Sequence, residues 1–170
     1  MPLTTAEALR QEFDATFVRP FGAGDADSDH LLAVRVGQRP YALRVAELRG
    51  IAAGRRVTQV PSGDAALLGL IGVRGSVIPV YDLARLVGEA PSVEPPRWFA
   101  LSAGEAPVAL AFRELEGHLR LPRAALESAG SGHVACVIRE EFGLRPVVDV
   151  PSVARAARAE KSSASSGKEL

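Results

Sequence analysis

The sequence predicts an all-β protein built from two copies of one small unit, and three observations predict it. The first is a self-match at a shift of 67 residues. Gly37, Pro40, Ala42 and Leu43 fall on Gly104, Pro107, Ala109 and Leu110 (104 − 37 = 67). Glu47, Leu48 and Gly50 fall on Glu114, Leu115 and Gly117, while Pro79, Val80 and Asp82 fall on Pro146, Val147 and Asp149. Ile71 falls on Ile138, and no gap is needed from Ala33 to Leu86. A fixed internal period marks one supersecondary unit used twice. The second observation is a period of two in apolar residues from His30 onward. The third is a Gly-to-Pro turn at the same place in each copy, Gly37-Gln-Arg-Pro and Gly104-Glu-Ala-Pro.

The leader Thr4–Arg19 is predicted helical. Thr4 and Glu7 have capping-box spacing, and Leu9, Phe13 and Phe17 form one narrow apolar stripe. That stripe suits docking on the protein's own body or on a partner. Pro20 ends the helix, and Phe21–Asp29 reads as a linker. In the first copy Leu32, Val34 and Val36 make one strand and Tyr41, Leu43 and Val45 its return. Trp98–Ser102 and Val108–Phe112 repeat that hairpin, and each hairpin is expected to bury one face and wet the other.

Val57–Pro61 is expected to be extended, and Asp64–Leu68 to make one helical turn before Gly69. The densest apolar segment follows, two runs flanking Arg74-Gly75, where glycine suits a tight turn by taking positive φ freely. Asp82 is placed to cap a short helix, Leu83–Val87, closed by Gly88. Asp149 holds the equivalent place before a last helix, Ser152–Glu160, with Pro151 in its first turn. Val134–Ile138 and Val147–Val150 are predicted strands. Three regions result: a leader and linker over 1–29, the duplicated body over 30–160, and a Ser-rich tail over 161–170 expected to be disordered.

Composition narrows the function. Twenty basic residues balance twenty acidic ones among 170. That opposes a general nucleic-acid or anionic-membrane binder, whose affinity rests on excess positive charge. No basic-then-apolar leader marks a signal peptide, and no apolar run nears the ~20 residues that cross a bilayer, so a cytoplasmic protein without membrane insertion is expected. Cys136, the only cysteine, lies in an apolar run and reads as a small buried hydrophobe. His30, His118 and His133 read as surface residues standing alone, too scattered for a metal site. Gly69, Gly72 and Gly75 lack the Lys-Ser/Thr of a phosphate loop, and no serine sits in a nucleophile elbow. Neither an enzyme nor a cofactor is expected.

The segment Gly69-Leu-Ile-Gly-Val-Arg-Gly-Ser-Val-Ile-Pro-Val-Tyr-Asp-Leu-Ala-Arg-Leu-Val-Gly88 resembles the signature of the CheW family of bacterial chemotaxis coupling proteins. Leu31–Val36, the Gly37 turn and Tyr41-Ala-Leu43 match that family's opening hairpin, and Pro61 fits before the signature. The resemblance runs from about His30 to Ala157. It implies two small five-stranded barrels, related to OB and SH3-like barrels, that arose by duplication with strands exchanged between halves. It also implies a non-enzymatic scaffold that contacts the cytoplasmic tips of methyl-accepting chemoreceptors and the regulatory domain of a CheA-type histidine kinase, at receptor arrays.

On that resemblance Arg74 matches the family's arginine, either meeting a partner or bracing its own turn. Leu48 and Ile51 lie where the family presents apolar residues to partners. Val73 and Val77 line a groove or pack in the core. Gly75, Pro79, Asp82 and Asp149 are structural. Two departures stand out: many members carry glutamate where this chain has Gly50, and the usual asparagine of the signature is Gly72. They leave open a regulatory module of a specialised chemosensory-like pathway. A third reading, from another class, is an OB-type binder of a ligand or single-stranded nucleic acid, for which stacking aromatics are scarce.

Overall fold

A computed structural model describes residues 27–165 of the chain, with side chains described through Ala159. The predicted leader helix lies outside the described residues. Eleven strands run in order: β1 (Ser28–Val36), β2 (Arg39–Arg44), β3 (Leu48–Ala53), β4 (Leu67–Val73), β5 (Ser76–Asp82), β6 (Trp98–Ser102), β7 (Ala109–Phe112), β8 (Glu114–Pro122), β9 (Leu126–Ser131), β10 (Val134–Glu140) and β11 (Gly143–Val148). Helix α1 (Leu83–Leu86) follows β5, and α2 (Val150–Ser165) follows β11.

The strands form two mixed sheets. One has the order β3-β6-β7-β5-β4 and the other β8-β1-β2-β11-β10-β9. The hairpin β1–β2 of the first copy therefore sits among strands of the second, and β6–β7 of the second sits among strands of the first. The two exchanges are equivalent: β1 pairs antiparallel with β8 as β6 does with β3. β2 pairs parallel with β11 as β7 does with β5. β4 with β10, and β5 with β11, begin 67 residues apart (134 − 67 = 67; 143 − 76 = 67). The sheets differ in one strand. β9 covers the outer edge of β10, whereas the first copy offers only a single bridge from Thr58 to Leu70.

Three apolar clusters hold this body together. Phe99, Leu101, Ile71, Ile78, Val80 and Ala52 fill the five-stranded sheet, and Leu31, Ala42, Ile138 and Val147 fill the six-stranded one. Both edge strands of the five-stranded sheet, β3 and β4, feed the same cluster, so that sheet curls around it. The third cluster lies between the sheets, where Val34, Tyr41, Leu43, Tyr81, Leu110 and Phe112 meet. Each fully buried Leu, Val or Phe contributes about 1.5–3 kcal/mol, against about 0–1 for an exposed ion pair. Packing therefore dominates. The hairpins were expected to wet one face, yet Ala109, Leu110, Ala111 and Phe112 are all buried. Exchange explains the difference: one face of each hairpin fills a sheet interior and the other fills the layer between sheets.

Local chemistry fixes the ends of elements. Asp82 accepts from Ala84 N at 3.0 Å and Asp149 from Ser152 N at 2.9 Å, each at a helix start. Glu47 adds a second acceptor for α2, taking Val150 N at 3.0 Å. Val150, Val153, Ala154 and Ala157 seat α2 on the cluster between the sheets. The helix runs on to Ser165, past the Lys161 where disorder was expected. Asp64–Ala66 is not helical: the Asp64 carboxylate accepts from Ala66 N at 2.8 Å, and this turn leads directly into β4. Pro79 and Pro146 have no N–H to give, and in both sheets the parallel ladder starts one residue later, at Val80 and Val147.

Candidate functional site: a groove on the five-stranded sheet

The β4–β5 connection is a two-residue turn between Val73 and Ser76. Arg74 and Gly75 have φ of 48° and 81°, the mirror-image turn whose twist suits a hairpin. A side chain costs free energy at such a φ, and the glycine beside it lowers that cost. Arg74 is exposed, and its guanidinium makes no hydrogen bond or ion pair among the described residues. Bracing of the turn by that side chain is absent there. The hairpin instead holds Arg74 out from the body.

Gly69, at the other end of β4, has a different reason. A Cβ on it would lie 2.2 Å from the Thr58 carbonyl oxygen, so the close approach of the Thr58 bridge excludes any side chain.

The Arg74 turn forms one wall of a groove of about 330 Å³. The opposite wall is β3 with the residues that follow it, including Arg49, Ile51 and Arg55. Val73, Ile78 and Leu101 form its apolar floor. The groove thus lies along the seam between β3 and the β4–β5 hairpin of the curled sheet. The structure brings Ile51, Val73 and Arg74 together here. Leu48 does not line this groove and packs half-buried against the cluster between the sheets. Val77 is neither core nor groove: it is 71% exposed and paired with Gly72 on the outer face of the hairpin. A Cβ on Gly50 or Gly72 would meet nothing within 4 Å, so both departures leave open space.

Several placements differ from expectation. His30 and His118 do not stand alone. Their rings stack at 5.1 Å across β1 and β8, with nitrogens 3.1 Å apart. Burial, then the neighbouring His30, holds the His118 imidazole below its ordinary value. His133 Nδ1 lies 3.0 Å from Ser152 Oγ. Cys136 is buried, and burial pushes its thiol up, but an Arg44 nitrogen lies 3.2 Å from its sulfur. Tyr41 donates to Glu89 at 2.8 Å, and burial together with that carboxylate pushes its phenol up to about 12. No group of three or more His, Cys, Asp or Glu suited to a metal ion occurs among the described residues. No helix among them is long and apolar enough to cross a membrane.

Arg49 and Arg55 escaped the sequence reading. The self-match held a usable signal for Arg49, since the 67-residue shift sets it against Glu116, a residue of opposite charge (116 − 49 = 67).

Comparison with known proteins gives three findings. A probable chemotaxis protein CheW from Rhizobium etli is 32% identical over 75 residues, which is 44% of this chain and 46% of that relative. The match thus spans about half the length of the curated relative. The crystal structure of the scaffolding protein TtCheW from Thermoanaerobacter tengcongensis superposes with a TM-score of 0.63 at 14% identity, covering 71% of this chain and 88% of that one. This likeness shows the shared two-sheet fold. A family model described as the CheW-like domain matches residues 30–158, taking in both sheets and the start of α2. The chain therefore belongs to the CheW-like domain family.

Proposed function

We propose that this protein is a non-enzymatic scaffold that couples chemoreceptors to a CheA-type histidine kinase. The observation that carries the reading is the family match across the whole two-sheet body. The geometry supports it. Exchanged hairpins lock both copies around one shared cluster, giving a rigid body suited to holding partners in register. Arg74 is held out from that body with no partner of its own among the described residues, beside the exposed Ile51. The expected partners are the kinase regulatory domain and the receptor's cytoplasmic tip, at an array in the cytoplasm. Leu48, Ile51, Val73, Arg74 and Val77 are the proposed partner residues. Gly75, Pro79, Asp82 and Asp149 keep the turn, ladder and helix starts that present them.

Co-sedimentation with receptor fragments and kinase tests the reading: wild type should enter a ternary complex. Arg74→Ala should weaken pull-down of kinase or receptor about tenfold while circular dichroism stays folded. Undiminished pull-down by a folded Arg74→Ala variant would refute that residue's role.

A second reading, a CheW-like regulatory module that forms no standard receptor–kinase complex, draws on the open space at Gly50 and Gly72. It predicts that wild type binds one partner without ternary assembly, and that Gly72→Asn restores the assembly.

A further inference from the structure

We infer that the β3–β5 groove takes an acidic segment of a partner protein, with carboxylates set around an apolar centre. The inference rests on the scaffold reading above and adds the chemistry of the partner. Its basis is a contrast among the arginines. Arg35 meets Glu116 at 2.6 Å, Arg44 meets Asp29 at 3.3 Å, and Arg139 meets Glu127 at 3.2 Å. Arg39, Arg85, Arg113, Arg123 and Arg145 also have carboxylate partners. Arg56, Arg97, Arg155 and Arg158 likewise have no carboxylate partner among the described residues, but Arg49, Arg55 and Arg74 are gathered, all three exposed, around one groove.

Acids at the ends of the strands that build the groove are already engaged. Glu47 is taken by Arg44 and Val150 N, Asp82 by Ala84 N and Arg85, and Asp64 by Ala66 N. No acidic side chain among the described residues lines the groove. In a chain of zero net charge, three uncompensated cations around one concavity make a local positive field. Gly50, which lines the same groove, adds no charge to that field.

The floor decides which polyanion fits. Val73, Ile78 and Leu101 offer an apolar bottom with Ile51 at its rim, and among the described residues no aromatic ring lines it for a base to stack on. Nucleic acid bound without sequence preference uses such rings, so a protein segment is the better match. An apolar contact at the centre with charges at the rim is an ordinary protein–protein interface. Rim charges of this kind set partner choice and association rate.

The test uses the full chain and three probes: the kinase regulatory domain and the receptor cytoplasmic fragment of the same organism, and a mixed-sequence single-stranded oligonucleotide. Affinity is measured at about 50 mM and about 300 mM salt for wild type, Arg49→Glu/Arg55→Glu and Arg139→Glu. Binding of at least one protein probe should fall about tenfold or more with the double reversal and weaken with salt, while Arg139→Glu stays within about twofold of wild type. Wild-type affinity for both protein probes in a folded double variant would overturn the acidic-partner inference and leave the scaffold reading standing. Failure of wild type to bind either protein would remove both. Oligonucleotide binding that the double reversal abolishes, with protein binding untouched, would overturn the inference in favour of nucleic acid.

Discussion

The bulge in β3 and the bulge in β8 put Arg49 and Glu116 at equivalent places in the two copies, and the two side chains have opposite fates. Glu116 is clamped between Arg35 at 2.6 Å and Arg145 at 2.8 Å. Arg49 faces a groove with no carboxylate partner among the described residues. The tight turns show the same division. Arg74-Gly75 in the first copy stands against Glu141-Phe142 in the second (141 − 74 = 67), and only the first pair takes positive φ at both residues. Duplication therefore supplied one backbone twice, and the copies then divided the work. In the six-stranded sheet Arg35, Arg44, Arg139 and Arg145 are paired with carboxylates, while the groove of the five-stranded sheet gathers three arginines without such a partner among the described residues.

The largest break in that comparison is at Gly69 and Cys136, which are equivalent (136 − 69 = 67). Gly69→Val drives a side chain into the Thr58 carbonyl and should cost about 3 kcal/mol or more. Cys136→Ala removes one buried sulfur and should cost about 1 kcal/mol. Urea denaturation midpoints measure both. Next comes the charge contrast. The Arg145 side chain is 11% exposed and serves Glu116, Glu140 and the Tyr41 carbonyl, so Arg145→Ala leaves two partly exposed carboxylates and that carbonyl without their donor and should cost about 1–2 kcal/mol. Arg49→Ala should stay within about 0.5 kcal/mol. Equal costs in the two copies would erase the distinction.

Acid pH sharpens the same point. Burial raises the Glu116 carboxyl, but hydrogen bonds from Arg145 and Arg35 outweigh it and hold the group below its ordinary 4.5. A carboxylate lowered in the folded state stabilises fully above its unfolded value, and that contribution is lost as pH falls through the folded value. Wild type should therefore lose stability below about pH 4.5 more steeply than Glu116→Gln, in denaturant titrations at stepped pH. Parallel curves would mean the clamp contributes nothing. The smallest effect is expected at Gly72→Asn, where the exposed strand face has room and stability should change by less than about 0.5 kcal/mol.

Much of this body was legible in the residues. The self-match located β4 with β10 and β5 with β11, the Gly-to-Pro turns located both hairpins, and Asp82 and Asp149 stood at the helix starts. Three strands went unread. β3 is Leu-Arg-Gly-Ile-Ala-Ala, weak in strand formers and broken by a bulge, and β9 is Leu-Glu-Ser-Ala-Gly-Ser, with almost no apolar pattern. β8 was readable, since Leu115, Leu119 and Leu121 fall on alternate positions with Gly117 between them. Which hairpin joins which sheet is a long-range choice that no turn encodes. That choice buried both faces of β7, set His30 on His118, and put Arg49 opposite Arg74 across the seam. The groove was therefore visible only in part: its turn arginine stood inside a recognisable motif, whereas its other two cations became neighbours only through the fold.

Hydrogen–deuterium exchange of the full chain, with and without the kinase regulatory domain, tests most directly whether the first copy carries the partner face. Slowed exchange should map to 48–56 and 73–78, with 115–121 and 140–145 unchanged. Protection confined to the six-stranded sheet would contradict the division of work between the copies.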